Sequence, residues 1–276
     1  MPCTLRLDRG NQALVLLDGS GREVAFDLAF PVLHGRNGED GTVQGALELA
    51  GVPLVGCGTL SSALCMDKDR AHKLAALAGV RVPRSRLFPE DCAFEELRTA
   101  AETLGWPLFV KPAGSSFGVS RVEEPAQLAP AVEAAFRHDG EILLEEAIPG
   151  FEVGCAVLGN RELTVGAVDE VELSRGFFNY TEKYTLQTSA IHCPARIAPQ
   201  KAAEIRETAK VLYRALGCRG FARVDLFLTP WGEIVFNEVN TIPGFTPHSR
   251  YPAMMRAAGI PFRELVSRLI QLGAEL

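Results

Sequence analysis

The order of helical and extended segments in this 276-residue sequence predicts an α+β fold of two or three lobes rather than a single doubly wound sheet. Hydrophobic residues make up 47% of the chain and charged residues 22%, ordinary globular proportions with ample apolar surface for a large core. Extended segments also follow one another without an intervening helix, as at 141–145, 151–158 and 162–172. No repeat or low-complexity linker interrupts the chain, so the lobes should pack tightly.

In chain order, 12–17 and 24–33 read as strands around a glycine-rich turn at 19–21. Residues 42–50 form a helix stopped by Gly51 and Pro53, followed by a short strand at 54–55. Residues 61–77 look helical, and 81–88 is extended. A helix at 94–104 stops at Gly105. The strand 107–111 enters the loop 112–118, and a helix covers 125–136. After the three strands named above come a strand at 191–194, a helix at 202–216 and strands at 221–228 and 234–240. A helix at 262–272, apolar on one face, closes the chain. The lobes divide at about 1–61, 62–148 and 149–276.

A net charge of −6 gives no footing for nucleic acid or an acidic membrane surface as partner. No run approaches the roughly 20 apolar residues of a membrane span, and the first residues lack a signal-peptide core. Seven scattered cysteines without a CxxC pair fit reduced thiols in a cytoplasmic protein. Cys57, Cys65, Cys155 and Cys218 sit in apolar runs and read as buried hydrophobes.

Four stretches carry candidate chemistry. In FVKPAGSSFGV a strand delivers Lys111. Backbone N–H groups freed by Gly114 and Gly118, with the Ser115 and Ser116 hydroxyls, could then cradle phosphate, and a plain hairpin is an equal alternative. On strands 221–228 and 234–240, Asp225, Glu238 and Asn240 share a face and make an oxygen set suited to Mg²⁺. Val224, Leu226, Val235 and Val239 mark the opposite, buried face. In TIPGFTPHSR, Gly244 offers a bare N–H to an oxyanion, and Ser249 and Arg250 suit a substrate carboxylate. Ser249 equally reads as a helix N-cap. NYTEKYTLQT is either a lid carrying Lys183 and Tyr184 or a surface loop. Lys68 opens a helix toward a cleft. The five histidines have no metal spacing; His34 is a candidate ligand contact and His72 reads as helix surface.

Together, HGRNGEDGTVQGALELAGVPLVGCG, SSALCMDK, FVKPAGSSFGVSRV, EVGCAVLGN, EKYTL, GCRGFARVDLF and NEVNTIPGFTPHSRYP resemble the D-alanine–D-alanine ligase family of the ATP-grasp fold. The likeness is greatest to the vancomycin-resistance ligases that add D-serine. It implies two α+β lobes clasping ATP and an N-terminal lobe that is incomplete. The family's first strand–loop–helix would precede this chain, and its phosphate loop has two more residues. The resemblance implies ATP contacts from Lys68, Lys111, Ser116, Gly118, Glu145, Glu146, Ile148, Glu152, Lys183 and Phe227. Two Mg²⁺, or Mn²⁺ in their place, would bind Asp225, Glu238 and Asn240. His34, Ser249 and Arg250 would hold substrates, and Arg223, Ser115, Tyr184 and Gly244 would act in catalysis. The implied protein is a cytoplasmic homodimer joining D-alanine to D-serine through an acyl phosphate, for peptidoglycan precursors and glycopeptide resistance. Alternatives are a D-alanine–D-alanine ligase and a truncated, impaired nucleotide-binding homologue. Arg250 and the Lys183–Tyr184 pair favour D-serine over D-alanine, with D-lactate third.

Overall fold

Three antiparallel sheets organise the computed structural model, which describes residues 3–6, 8, 13–16, 20–115, 117–173 and 189–275. The first sheet runs β1 (Cys3–Leu5), β2 (Ala13–Leu16), β3 (Glu23–Ala25). The second has the order β4 (Ser85–Pro89), β7 (Glu141–Glu146), β5 (Leu108–Pro112), β6 (Ser120–Val122). The third has the order β10 (Ser189–His192), β9 (Thr164–Leu173), β8 (Phe151–Leu158), β11 (Phe221–Leu228), β12 (Ile234–Asn240). Among the described residues no helix is long and apolar enough to cross a membrane.

Two helices match the sequence expectation at both ends. α1 (Thr42–Ala50) stops at Gly51 and α4 (Phe94–Leu104) at Gly105. The expected strand at 24–33 is shorter. It ends at Ala25, after which Ala29 makes one isolated parallel bridge to Leu54. Pro31 and Pro53 lack the N–H that a longer ladder needs. The expected helix 61–77 is two helices, α2 (Thr59–Met66) and α3 (Lys68–Leu77).

Asp67 makes that break. Its backbone is extended, and its carboxylate accepts the Arg70 N–H at 2.9 Å, capping α3. As the first residue of α3, Lys68 has no intrahelical acceptor for its N–H and donates it to Ala113 O at 3.1 Å. The cap therefore ties the start of α3 to the loop after β5. Asp67→Ala is expected to cost about 1 kcal/mol, read as a lower urea midpoint.

α4 and α5 (Leu128–Phe136) cover the second sheet, packing Leu97, Ala101, Leu128 and Val132 on Val110 and Leu144. α6 (Pro199–Ala215) covers one face of the third sheet, where Ile205 and Leu212 meet Val153, Val224 and Phe236. Cys57, Cys65, Cys155 and Cys218 are buried as expected, and burial holds the Cys155 thiol above its ordinary range. The other face receives α7 (Arg250–Ala257) and α8 (Phe262–Ala274), through Tyr251, Met254 and Leu265 against Ala156 and Phe221.

These helices cover only part of that second face. Side chains two apart on a strand share a face, so Glu152, Gly154, Arg223, Asp225 and Phe227 form its remaining strip. Pairing between β11 and β12 has one irregularity. Asp225 faces Glu238 but Leu226 faces Phe236, leaving Asn237 as the extra residue of a bulge. The bulge resets the alternation: Phe236 turns into the α6 core while Glu238 and Asn240 stay beside Asp225. It also corrects one reading. Val235 pairs with Phe227 and lies on the polar side, not on the core side with Val239.

Candidate active site

Two polar clusters are linked through α3, whose His72 is 2.9 Å from Asn237 O on β12 and 3.9 Å from Glu145 Oε2 on β7. The first gathers around the β5–β7 pair. Lys111 donates to Glu145 Oε1 at 2.5 Å, and both residues are buried. Lys68 reaches the same region from α3 and donates to Ser115 O at 2.8 Å. Glu145 keeps its second oxygen, Oε2, without a hydrogen-bond partner although that atom is fully buried. Such an acceptor is costly unless a donor arrives.

His72 stands beside this pair. It was expected on the helix surface but is 3% exposed, because α3 turns this face onto β12. Glu146 is held from outside, accepting from the Arg84 side chain at 2.6 Å and from Arg81 at 3.2 Å. Ile148 follows the strand end and is half-buried.

The loop after Lys111 is fixed by its neighbours. Gly114 N–H donates to Asp139 Oδ2 at 2.6 Å, so it is not free for phosphate as the sequence suggested. Ser115 Oγ accepts the Phe117 N–H at 3.0 Å. Gly118 has φ +80°, and a Cβ there would stand 2.4 Å from the His138 ring. Only glycine fits both that backbone and that approach. Ser116, Lys183 and Tyr184 lie outside the described residues.

The second cluster fills the open strip of the third sheet. Arg223 donates through Nε and Nη2 to the two oxygens of Asp225, at 2.8 and 2.7 Å. Asn240 Nδ2 also donates to Asp225, at 2.8 Å. Glu238 sits opposite Asp225 in register, and Phe227 opposite Glu152. Among the described residues no three Asp, Glu, His or Cys side chains form a metal-holding group. The candidate set is two carboxylates and one amide, with Arg223 now on Asp225.

Arg250, expected to face a substrate carboxylate, is turned inward. It grips Asp169 with Nε at 2.7 Å and Nη2 at 2.8 Å, donates to Glu152 at 2.9 Å, and passes 3.6 Å from Asp225. Glu152, expected at a ribose, is one of its partners. Burial opposes the charge on Arg250, but Asp169, Asp225 and Glu152 outweigh it and hold its pKa well above the ordinary value. Gly154 makes room for this crossing. A Cβ there would stand 2.5 Å from Arg250 Nη2 and 2.6 Å from Asp169 Oδ1. Among the described residues two buried guanidiniums thus face four carboxylates, Glu152, Asp169, Asp225 and Glu238, an excess of negative charge suited to a cation.

Ser249, expected at a substrate, bonds within its own loop. Its Oγ accepts the Thr246 N–H at 3.0 Å and bonds Thr246 Oγ1 at 2.9 Å. It precedes α7 without a side-chain cap bond. Gly244 lies beside it, its Cβ position 3.0 Å from Ser249 Oγ. His34 is exposed.

Three residues were missed by sequence reasoning. Asp169 and Gly154 were hidden inside apolar strands. Glu39 follows His34 in the same loop and accepts the Gly35 N–H at 2.6 Å. Burial raises its pKa first of all, and the charges around it include His34, Glu238 and Arg223, so this loop lies near the polar strip.

Comparison with known proteins gives the family. The family model for the D-ala D-ala ligase C-terminus matches residues 76–271, and that for the N-terminus matches residues 7–57. A Streptomyces coelicolor protein provisionally described as a D-alanine–D-lactate ligase is 48% identical over 98% of this chain and 79% of its own. Among solved structures, the VanG D-Ala:D-Ser ligase from Enterococcus faecalis superposes with a TM-score of 0.91. It is 56% identical, covering 99% of this chain and 79% of its own. The Bacillus anthracis D-alanine–D-alanine ligase complexed with ATP has a TM-score of 0.78 and 31% identity, over 91% of this chain and 80% of its own. The family resemblance and the α+β, ATP-grasp fold expected from the sequence are both met, and the chain belongs to the D-alanine–D-alanine ligase family.

Proposed function

We propose that this ATP-dependent ligase joins D-alanine to D-serine, and that Asp225, Glu238, Asn240, Lys68 and Lys111 form its ATP site. The supporting observation is that α3 links the two polar clusters: it carries Lys68, and its His72 is 2.9 Å from Asn237 O on β12 and 3.9 Å from Glu145 Oε2, the carboxylate that holds Lys111. Both ligands fit the residues present. The adenine amino group is the kind of donor that Glu145 Oε2 lacks. The surplus carboxylates suit a hard dication held by Asp225, Glu238 and Asn240 once Arg223 releases Asp225. Mg²⁺, when bound, would neutralise charge on the ATP phosphates.

The chain's own residues then orient the reactants. Lys68 and Lys111 counter the triphosphate charge while the carboxylate of D-alanine attacks the γ-phosphorus, releasing ADP and leaving an acyl phosphate. The amine of D-serine attacks that carbonyl carbon, loses a proton, and inorganic phosphate departs. Arg223, freed from Asp225, and the Gly244 N–H are the groups offered to the tetrahedral oxyanion. The product would serve peptidoglycan precursors and glycopeptide resistance, in the cytoplasm and from a homodimer.

D-Serine is favoured by the 56% identity to a D-Ala:D-Ser ligase. Phosphate release with D-alanine plus D-serine should exceed that with D-alanine alone or D-alanine plus D-lactate, with the product identified by mass. Faster release with D-lactate would move the assignment to an ester-forming ligase. Nucleotide-dependent thermal stabilisation without release would make the chain a binding homologue.

A further inference from the structure

The unpaired atoms at the junction of the two large sheets bear on His72, which has no role in the site described so far. His72 lies on α3, one turn after Lys68. Its Nε2 is 2.9 Å from the carbonyl oxygen of Asn237, and its ring meets Phe236 edge-on at 5.5 Å. A carbonyl only accepts, so in the neutral ring the proton sits on Nε2 and Nδ1 carries a bare lone pair. Burial favours that neutral ring, Glu145 opposes it, and Lys111 and Lys68 reinforce it.

Nδ1 faces Glu145 Oε2 at 3.9 Å, beyond hydrogen-bond range, and neither atom has a hydrogen-bond partner among the described residues. Two acceptors set face to face repel. The carboxylate of Glu145 therefore has Lys111 as its cation and no proton to gain from His72. On its other side His72 bonds the extra residue of the β12 bulge. That bulge decides whether Glu238 shares a face with Asp225, since moving a strand by one residue exchanges its faces.

We propose that His72 is a positioning residue that sets both halves of the ATP site: it pins the bulge that aims Glu238 and keeps Glu145 turned onto Lys111. The inference rests on the ligase reading above, which assigns Glu238 and Lys111 to the nucleotide. It makes His72 a joint between the two clasping sheets, so that a change at one side of the nucleotide is felt at the other.

His72→Phe keeps the ring against Phe236 and removes both nitrogens, whereas His72→Gln retains an amide donor and an acceptor oxygen. ADP affinity measured by calorimetry, at several Mg²⁺ concentrations, needs no amino-acid substrate. His72→Phe should weaken Mg·ADP binding about tenfold, the scale of one buried hydrogen bond, and raise the Mg²⁺ needed for half-saturation. KM for ATP should rise with it, melting temperature should stay within a few degrees, and His72→Gln should recover most of the affinity.

Wild-type affinity in His72→Phe would overturn the proposal. So would equal losses in both variants that track a falling melting temperature. If His72→Phe does not fold, His72→Asn takes its place. It keeps an acceptor near Nδ1 but loses the reach to Asn237, and wild-type Mg²⁺ dependence there overturns the bulge role. A wild-type chain that binds Mg·ADP but releases no phosphate with any amino-acid pair would sink the ligase reading alone. One that fails to bind Mg·ADP would sink both.

Discussion

Asp169→Ala is expected to destabilise the fold by about 3 kcal/mol, the scale of breaking a buried ion pair by removing one partner. Asp169 is fully buried and gives both oxygens to Arg250, while Oδ1 also accepts the Gly154 N–H at 2.9 Å. Removing it leaves a buried guanidinium with Glu152 at 2.9 Å and Asp225 at 3.6 Å. It also leaves a backbone donor of β8 unpaired. Urea unfolding monitored by fluorescence reads the loss directly. The double variant Asp169→Ala with Arg250→Met should recover only part of it, because Arg250→Met also leaves the buried carboxylate of Glu152 without its donor. A loss under about 1 kcal/mol in the single variant would mean that solvent reaches Arg250 and that the buried network is not formed.

Glu238→Gln should lower kcat for phosphate release by about a hundredfold to a thousandfold while leaving the melting point nearly unchanged. The two halves of that expectation come from different places. Glu238 is half-buried on the edge strand β12, so a neutral isostere there disturbs little packing. The charge matters to the reaction, since the strip's surplus negative charge is what a dication would neutralise. Raising Mg²⁺ should recover part of the rate. Asp225→Asn is a less clean probe. It takes charge from a group that holds Arg223 by two bonds, so it should lower both rate and stability. Turnover of Glu238→Gln within a few-fold of wild type would remove Glu238 from the metal set.

How far the sequence could be read depended on what each residue signals locally. α1, α4 and the strands Phe151–Leu158, Phe221–Leu228 and Ile234–Asn240 were legible to the residue, because glycine stops and apolar runs act within a few positions. The family was legible from motif order. The break at Asp67 was legible only in part, since Lys68 reads as a helix start but the extended backbone and capping bond of Asp67 are what show the interruption. The bulge at Asn237 was not legible, since it depends on the register of a neighbouring strand. His72 sits among Lys, Asp and Arg in KDRAHKLAAL, a composition that reads as solvated, and only packing on β12 shows it buried.

Among candidate site residues, Lys68, Lys111, Asp225 and Asn240 were singled out by chemistry that the chain alone displays, Glu145 and Arg223 by the family resemblance, and all six stand in the two polar clusters. The orientations of Arg250 and Glu152 were beyond reach. A guanidinium after a Pro-Gly loop looks ready for an external carboxylate, and nothing local discloses that Asp169, 81 residues upstream, already binds it.

The bare backbone at Gly154 ties two distant positions into one choice. An arginine at 250 can lie across the sheet only while 154 has no side chain. In other proteins built on this sheet, a branched residue at 154 and a long cation at 250 should be mutually exclusive. The pair would have to be exchanged together, so neither site is free to drift by single substitutions.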